Sequence, residues 1–155
     1  MAIYIISTTN AEKPWVDEVC QDYARRCQSP WNCEYLTVNA QKRKKGSGVS
    51  SLITLECEQM EKRCPKGAYR VALDRRGKTF TSERFAGWMV DRMSHGQSVA
   101  FFIGGPEGLA DEFRQSCDAQ IRLSDMTFAH PLVRVIFAEQ IYRAWSIVHG
   151  HPYHR

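Results

Sequence analysis

The residues with the clearest potential for chemistry follow a short apolar run, Val99–Ile103, which breaks into the glycine-rich loop Gly104–Gly108. Glycine permits positive φ and close backbone approach, and open α/β sheets bind ligands in loops beyond the carboxyl ends of their strands. No Lys-Ser or Lys-Thr pair follows the loop, and its spacing does not match G-x-G-x-x-G, so neither a phosphate loop nor a dinucleotide fingerprint is indicated. By itself the motif fits either a ligand loop or a simple tight turn.

Two other segments are expected to end strands at the same edge, Leu73-Asp74 and Ser124–Ala129. Their convergence with the glycine loop favours a small-molecule pocket over an ordinary turn. The chain shows no Ser-His-Asp order, no paired-carboxylate motif and no cysteine nucleophile signature. We therefore expect a cofactor to supply the reactive group.

Polar side chains close the sequence in His151–Arg155 and are suited to cover such a pocket. Histidines stand at positions 149, 151 and 154, but without a nearby cysteine or fixed carboxylate they are a weak metal signal. Solvent-facing or RNA-facing histidines are the favoured interpretation, and no metal is expected. His130, directly before Pro131, fits either a structural cap or a site residue.

The last predicted helix is apolar on several sides. Its main stripe runs from Val133 to Val148, and only a narrow polar strip remains. Such a helix is buried on more than one side, either inside one domain or against a second subunit. Glu139 and Arg143 lie four residues apart on it as a typical stabilising pair, although burying both charges would be costly without a purpose.

Positive charge is concentrated in Lys42, Arg43, Lys44 and Lys45, whereas the whole chain carries a formal charge of only +4. So mild a net charge is compatible with nucleic-acid binding without establishing it. The basic segment fits either a solvated loop or a contact with the phosphate backbone of RNA.

Composition predicts one soluble globular domain over residues 1–155, because 43% hydrophobic and 25% charged residues are ordinary for that class. The apolar N-terminus is short and lacks a basic leader, and no run approaches the roughly 20 residues of a membrane span. Six cysteines without C-x-x-C spacing fit small buried hydrophobes in a reducing cytosol. A cytoplasmic location is therefore expected.

Strand and helix signals alternate along the chain. Strands are predicted near residues 2–8, 34–39, 69–74, 98–103 and 120–123, and helices near 14–28, 49–63, 82–94, 108–117 and 132–148. Pro14 and Pro131 suit first helical turns. The alternation predicts an α/β fold with a mainly parallel sheet and helices on both faces. Only the segment 41–51 is expected to be a mobile loop.

Four long motifs resemble one known family: Phe102–Leu109, His130–Arg134, Glu139–Ser146 and His151–Arg155. Shorter matches extend the resemblance along the chain, at Pro14–Val16, Tyr23–Arg26, Lys42-Arg43, Leu73-Asp74 and Gly77-Lys78. The first dozen residues and the cysteine-rich helices fit less well. On these motifs the chain resembles the bacterial ribosomal RNA large-subunit methyltransferase H family, which belongs to the SPOUT or α/β-knot class.

The resemblance implies properties that residue spacing does not show. Such proteins have a deep trefoil knot formed by their C-terminal strands and helix, a topology that general connection rules argue against. They act as homodimers whose knotted regions pack together. They bind S-adenosylmethionine and methylate N3 of a pseudouridine in the 23S rRNA of the assembled ribosome.

The resemblance also implies the cofactor-binding residues, and we expect further site residues beside them. Cofactor binding falls on Leu73, Gly104, Gly105, Ser124, Asp125, Met126, Thr127, Phe128 and Ala129, where Asp125 replaces a small apolar residue. The mouth over the reactive methyl group falls on Tyr153, His154 and Arg155, with Glu139 and Arg143 beside them. His154 is the first candidate to accept the N3 proton, because imidazole titrates near neutral pH, and Glu139 is the second. RNA contact falls on Lys42, Arg43, Lys44, Lys45 and His130.

Three other functions are open at this point. The first is a non-catalytic RNA-binding or ribosome-associated protein with the same knot, and the second is a related methyltransferase acting on a different nucleotide. The third, more distant, is a metal-dependent hydrolase that uses the terminal histidines. Binding of S-adenosylmethionine separates the methyltransferases from the first and third.

Overall fold

A computed structural model describes residues 1–10, 13–46 and 48–155 of the chain. Its elements in chain order are β1 (Ala2–Thr9), α1 (Pro14–Arg26), β2 (Asn32–Asn39), α2 (Val49–Arg63), β3 (Tyr69–Thr79), α3 (Ser82–Ser94), β4 (Val99–Ile103), α4 (Asp111–Ser116), β5 (Ala119–Arg122) and α5 (His130–Val148). A short 3-10 turn, Pro152–His154, follows α5. Strands and helices alternate as predicted, and every predicted element has a counterpart.

The strands form one sheet in the order β2-β1-β4-β3-β5, and every neighbouring pair is parallel. Successive side chains of a strand point to opposite faces of a sheet. In β4, Phe101 packs with residues of α1, α3 and α5, whereas Phe102 packs with residues of α2 and α4. The predicted α/β class, with a parallel sheet covered by helices on both faces, is confirmed.

Helix α5 packs against both α1 and α3 on one face of the sheet. Phe137 and Ile141 are buried there, and the Trp145 indole N–H donates to the Gln28 carbonyl at 3.0 Å. A single chain thus buries most of α5, so the apolar character of the helix alone does not require a second subunit. Within the described residues no helix, α5 included, is both long and apolar enough to cross a membrane.

Strand β3 is longer than predicted and continues to Thr79. It pairs with β5 up to Leu73 and again from Lys78, with a break in register between them. Gly77 lies in this break, and a Cβ there would stand 2.5 Å from the backbone of Ile121. Close approach of a distant segment shapes this strand, and local apolar patterning carries no signal for that.

Helix α4 is shorter than the predicted 108–117. Gly108 has a φ of 80°, and its N–H donates to the Gly105 carbonyl at 2.8 Å. The chain therefore closes a tight turn before the helix begins at Asp111. The segment predicted as a mobile loop, 41–51, includes the start of α2 at Val49, and its residue Ser47 lies outside the described residues.

The six cysteines are free thiols, and none is exposed. Burial raises the pKa of Cys20 and of Cys117 to about 11, so both thiols stay protonated at physiological pH. These side chains act as small apolar groups, as the sequence predicts.

Candidate functional site

The register break of β3 and the loops beyond the carboxyl ends of β4 and β5 meet and form a cleft of about 500 Å³. Its lining includes most residues assigned to cofactor binding: Leu73, Gly104, Gly105, Ser124, Asp125, Met126, Thr127 and Phe128. Asp74, His130 and Val133 also line it, whereas Ala129 caps α5 outside the lining. The volume lies within the range of small-molecule sites. The convergence predicted from the sequence is therefore present in the structure.

Glycine has no side chain, and this allows the tight shape of the loop Gly104–Gly108. A Cβ on Gly104 would stand 2.5 Å from the carbonyl carbon of Gly108, so no larger residue fits without moving the backbone. A Cβ on Gly105 would meet Glu56 Oε2 at 3.7 Å, which is ordinary contact. Gly104 thus permits the tight loop, whereas the Cβ position of Gly105 faces Glu56, Thr8 and Glu107.

Short-range contacts shape the loop after β5. The Met126 N–H donates to Ser124 Oγ at 3.0 Å. The Asp125 carboxylate lies 2.8 Å from Arg122 Nη2, and 80% of its side chain is exposed. Asp125 therefore faces solvent as half of a surface ion pair and does not fill the cleft. Met126, 73% exposed, presents apolar surface at the cleft mouth.

His130 begins α5 and lies at the cleft with its side chain partly buried. Burial, followed by the positive charge of Arg134, lowers the pKa of the imidazole, while Glu107 and Glu56 act more weakly in the opposite direction. The neutral form of the ring is favoured. Arg134 is itself buried and donates to Asp17 Oδ1 at 3.1 Å.

Arg43 differs from its basic neighbours. The three lysines of the segment 42–45 are exposed to solvent. The Arg43 guanidinium instead lies 2.7 Å from Glu56 Oε1 and 2.7 Å from Glu107 Oε2. These hydrogen bonds to Arg43 hold the pKa of the Glu107 carboxyl below its ordinary value. The structure therefore ties Arg43 to the glycine loop and leaves the lysine ammonium groups facing water.

The tail residues gather around Glu139 in the middle of α5. Tyr153 OH donates to Glu139 Oε1 at 3.0 Å, and Arg143 donates to the same oxygen from Nε at 2.9 Å and Nη2 at 2.6 Å. Gln140 Nε2 donates to Glu139 Oε2 at 2.9 Å. Since both carboxylate oxygens hold donors, Glu139 acts here as an anchor for the tail.

Tyr153 is held by its ring as well as by its hydroxyl. Its ring centroid lies 4.6 Å from that of Tyr142, and the Arg143 guanidinium carbon lies 5.2 Å from the Tyr153 centroid. Its hydroxyl is 3.4 Å from Tyr23 OH on α1. Burial, followed by the hydrogen bonds to Tyr23 and Glu139, raises the pKa of the phenol, which therefore stays neutral at physiological pH.

His154 and Arg155 complete the tail. Nδ1 of His154 is buried and finds no hydrogen-bond partner among the described residues. Arg155 is exposed, and its backbone N–H donates to the Pro152 carbonyl at 3.2 Å. Of the tail residues, His154 thus carries an uncommitted ring nitrogen.

The tail and the cleft lie apart within one chain. Glu139 follows His130 by nine residues, roughly 14 Å along a helix that rises about 1.5 Å per residue. In the part of the chain that the structure describes, no residue after Val133 lines the cleft. The structure therefore does not bring the predicted catalytic groups to the predicted cofactor pocket of the same chain.

A family model described as a predicted SPOUT methyltransferase matches residues 1–154. The chain belongs to the SPOUT methyltransferase family. Relatives named ribosomal RNA large subunit methyltransferase H, from Methylibium petroleiphilum and Bordetella petrii, are each 38% identical over 100% of this chain and 99% of their own length. One from Thioalkalivibrio sulfidiphilus is 39% identical over the same shares. The family resemblance seen in the motifs is confirmed.

Solved structures share the fold of this methyltransferase. A probable methyltransferase from Bordetella pertussis superposes with a TM-score of 0.58 at 12% identity, covering 92% of this chain and 95% of that one. A putative methylase family protein from Neisseria gonorrhoeae gives a TM-score of 0.52 at 12% identity, with 90% and 81% covered. At this identity the likeness concerns the fold alone.

A methyltransferase of this family needs a methyl donor, and the cleft has the features to hold one. Leu73, Phe128 and Val133 offer apolar surface to a flat heterocycle. The volume of the cleft and the backbone of its loops give room and hydrogen-bonding groups for the rest of such a molecule. The residues present therefore fit S-adenosylmethionine.

Sequence reasoning missed three residues that the structure places in this machinery. Glu56 and Glu107 hold Arg43, and Tyr23 contacts Tyr153. The partners of these contacts stand 13, 64 and 130 residues apart, so no local pattern marks them. Glu107 and Tyr23 both lie in motifs that match the family, which is a usable signal.

The terminal histidines do not form a metal site in the described residues. No group of three or more His, Cys, Asp or Glu side chains there is arranged to hold a metal ion. His149 instead stacks on Trp145 at 4.9 Å between ring centroids, and its Nδ1 lies 2.8 Å from the Trp145 carbonyl. A packing role accounts for this histidine.

Proposed function

We propose that this methyltransferase transfers a methyl group from S-adenosylmethionine to N3 of a pseudouridine in the 23S rRNA of the assembled ribosome, in the cytoplasm. The observation that carries the proposal is the cleft at the break in β3 and the ends of β4 and β5, where Leu73-Asp74 and the loop Gly104–Gly108 belong to matching family motifs. The relatives named ribosomal RNA large subunit methyltransferase H, aligned over their full length, support rRNA as the substrate.

The cleft loops bind and orient the donor. Leu73 and Phe128 pack against its adenine, while backbone groups of Gly104, Gly105 and the segment 124–129 hydrogen-bond to it. When bound, S-adenosylmethionine supplies an electrophilic methyl group on a positively charged sulfur. Holding both reactants in line contributes several kcal/mol to rate acceleration, about 7–11 kcal/mol in well-oriented intramolecular reactions.

A base must accept the N3 proton of pseudouridine as that nitrogen becomes nucleophilic. We assign this role to the His154 imidazole: its Nδ1 is buried without a hydrogen-bond partner among the described residues, so the ring would accept the proton at Nε2. Glu139 is the weaker candidate, because Tyr153, Arg143 and Gln140 already donate to its two oxygens. Such proton transfer typically contributes about 10²–10⁴-fold to rate.

Arg155 and Tyr153 complete the mouth around the target base. The exposed Arg155 guanidinium suits an RNA phosphate or the developing negative charge on the uracil ring. The Tyr153 ring offers a surface on which a base can stack. Glu139 and Arg143 fix the direction of the Tyr153 side chain.

We infer that the active site is shared between two protomers of a homodimer. Within one chain the tail packs against α1 and α5 and does not line the cleft. A two-fold dimer in which the α5 helices pack together would bring the tail of one protomer to the cleft of the other. The separation of tail and cleft therefore supports a dimer more strongly than the burial of α5 does.

We also propose that the chain is knotted in its C-terminal part. The support is the close approach of β5 to the break in β3, where a Cβ on Gly77 would lie 2.5 Å from Ile121 and 2.6 Å from Gln120. In a knot, one segment of the chain passes through a loop formed by another, so the backbones of the two segments must lie close together. The knot would fix the positions of the cleft loops on either side of it.

The three lysines of the segment 42–45 contact the rRNA backbone in this proposal. They are exposed and sit next to the loop that forms one side of the cleft, since Arg43 between them bonds to Glu107. Each phosphate contact should release a counterion, so loss of one lysine weakens ribosome binding and reduces its salt dependence. His130 lies at the cleft mouth, where it can contact the same RNA.

Mass spectrometry of 23S rRNA from a strain that lacks the gene tests the proposed function. We expect one pseudouridine to lose its N3-methyl group and the purified protein with S-adenosylmethionine to restore it on ribosomes. The Gly104→Ala variant, whose Cβ would stand 2.5 Å from the Gly108 carbonyl carbon and so distort the cleft loop, should not restore it. A different nucleotide without its methyl group would change the assigned target, and unchanged rRNA would favour the non-catalytic RNA-binding protein.

A further inference from the structure

The guanidinium of Arg43 joins three separate parts of the chain. It holds Glu107 at two points, Nη2 to Oε2 at 2.7 Å and Nε to Oε1 at 3.3 Å. Its Nη1 donates to Glu56 Oε1 at 2.7 Å and to the Gln41 carbonyl at 2.8 Å. A fork of this kind fixes geometry as well as charge, which a lysine in the same place would not do.

The ion pair with the buried Glu56 holds Arg43 most firmly. The residue is only 1% exposed, and its Oε1 also accepts the Gln41 N–H at 2.9 Å. A buried carboxylate needs a counter-charge, and removing one partner of such a pair is strongly destabilising. Glu56 therefore holds both the backbone and the arginine of the basic segment against α2.

Glu107 carries the contact to the cleft. It lies at the tip of the loop Gly104–Gly108, and its side chain is 37% exposed. A Cβ built on Gly105 would lie 3.7 Å from Glu56 Oε2 and 3.9 Å from Glu107 Oε2. The two carboxylates held by Arg43 thus flank Gly105, which lines the cleft.

We propose that Arg43 is a positioning residue for the methyl-donor site: it braces the loop Gly104–Gly108 against α2 in the conformation that binds the donor. This inference rests on the proposed function and adds a role that the other basic residues of the segment do not have. Arg43 and Lys44 therefore have different functions, although both belong to the same basic segment. The lysines meet RNA, whereas Arg43 acts on the donor through Glu107.

Calorimetry with S-adenosylmethionine on the full-length protein tests the brace. Arg43→Gln should raise the Kd for the donor by about tenfold, within the usual range of coupling between neighbouring sites. Arg43→Lys should recover little of this loss, because an ammonium cannot hold both carboxylates in a planar fork. The matched control, Lys44→Gln, removes the same charge one residue away and should leave the donor Kd within about twofold of the wild-type value.

Two further variants separate positioning from misfolding. Glu107→Gln breaks the brace at its exposed end and leaves the buried Glu56 with its arginine, so it should fold normally and still weaken donor binding. The double variant Arg43→Gln, Glu107→Gln should bind the donor no more weakly than Arg43→Gln alone, because both changes remove one interaction. Glu56→Gln combined with Arg43→Gln removes the unpaired buried charge and should recover stability without recovering donor affinity.

Hydrogen exchange of the 104–108 amides in the ligand-free protein gives a second readout. Exchange there should speed up in Arg43→Gln and Glu107→Gln and stay unchanged in Lys44→Gln. Folded Arg43→Gln and Glu107→Gln proteins with wild-type donor Kd and wild-type exchange would overturn the brace and leave the proposed function standing. A wild-type protein that binds no donor would overturn the proposed function, while the exchange comparison would still decide whether Arg43 orders the loop.

Discussion

At the scale of single residues, His130 shows how burial sets a protonation state beside the cleft. Its imidazole pKa is lowered first by burial and then by the charge of Arg134, against weaker opposing contributions from the Thr8 carbonyl, Glu107 and Glu56. In the unfolded chain the same group titrates near its ordinary value of 6.5. Below that pH the unfolded chain therefore binds more protons than the folded one.

The consequence is a specific loss of stability in mild acid. Because the unfolded state binds the extra proton, the free energy of unfolding should fall as pH drops from about 7.5 to about 5.5. His130→Asn removes the titrating group and should flatten this part of the profile. Urea unfolding at a series of pH values measures the difference, with His95→Asn as a control because His95 is exposed. Equal pH slopes in wild type and His130→Asn would contradict the assignment.

At the scale of elements, local sequence predicted most of this fold. Pro14 and Pro131 mark helix starts that the structure reproduces, and the apolar run of β4 is fully buried. The errors fall where distant segments set the conformation, as at the extension of β3 past Leu73. The candidate site follows the same division, because the loops that line the cleft were predicted whereas the Arg43 ion pairs were not.

The close approach of β5 to β3 at Gly77 leaves no room for even one added carbon atom. Gly77→Ala would place a Cβ 2.5 Å from the Ile121 backbone, so β3 and β5 must separate locally. We expect a loss of about 1–3 kcal/mol in the free energy of unfolding, as for other overpacked sites. Chemical denaturation followed by circular dichroism measures it.

Gly87 provides a matched control for the change at Gly77. It lies in α3, is exposed, and a Cβ there would meet nothing within 4 Å. Gly87→Ala should stabilise the protein by about 0.5–1 kcal/mol, because alanine loses less backbone entropy in a helix. If Gly77→Ala were as stable as the wild type, β5 would not lie as close to Gly77 as the structure has it, and the support for a knot would be lost.

At the scale of the whole molecule, the two halves of the proposed active site lie on different surfaces of one chain. The cleft is built from strand ends and the start of α5, whereas the tail is fixed to α1 and the middle of α5. The aromatic packing of Tyr153 on Tyr142 holds the tail in place. A rearrangement that carried the tail to its own cleft would have to break these contacts, whereas in the proposed dimer the tail of a second protomer would reach the cleft without breaking them.

Mixed dimers test whether the site is shared. One protomer would carry Gly104→Ala, which distorts the cleft loop but keeps the tail, and the other His154→Ala, which removes the proposed base but keeps the cleft. Each variant alone should lose about 10²-fold or more in methylation rate. Random pairing of equal amounts makes half of the dimers mixed, and each mixed dimer regains one intact shared site. Activity should therefore return to about one quarter of the wild-type value, as two-fold symmetry requires.

The control for this mixture is the pair of variants placed on the same chain. A doubly substituted protomer mixed with wild type also forms mixed dimers, but each of their two shared sites then contains one defect. Activity should come only from the wild-type dimers in that mixture. If the two singly substituted protomers show no recovery although tagged purification proves that they pair, each tail serves its own cleft. The contacts of Tyr153 with Glu139 and Tyr23 would then have to open during catalysis.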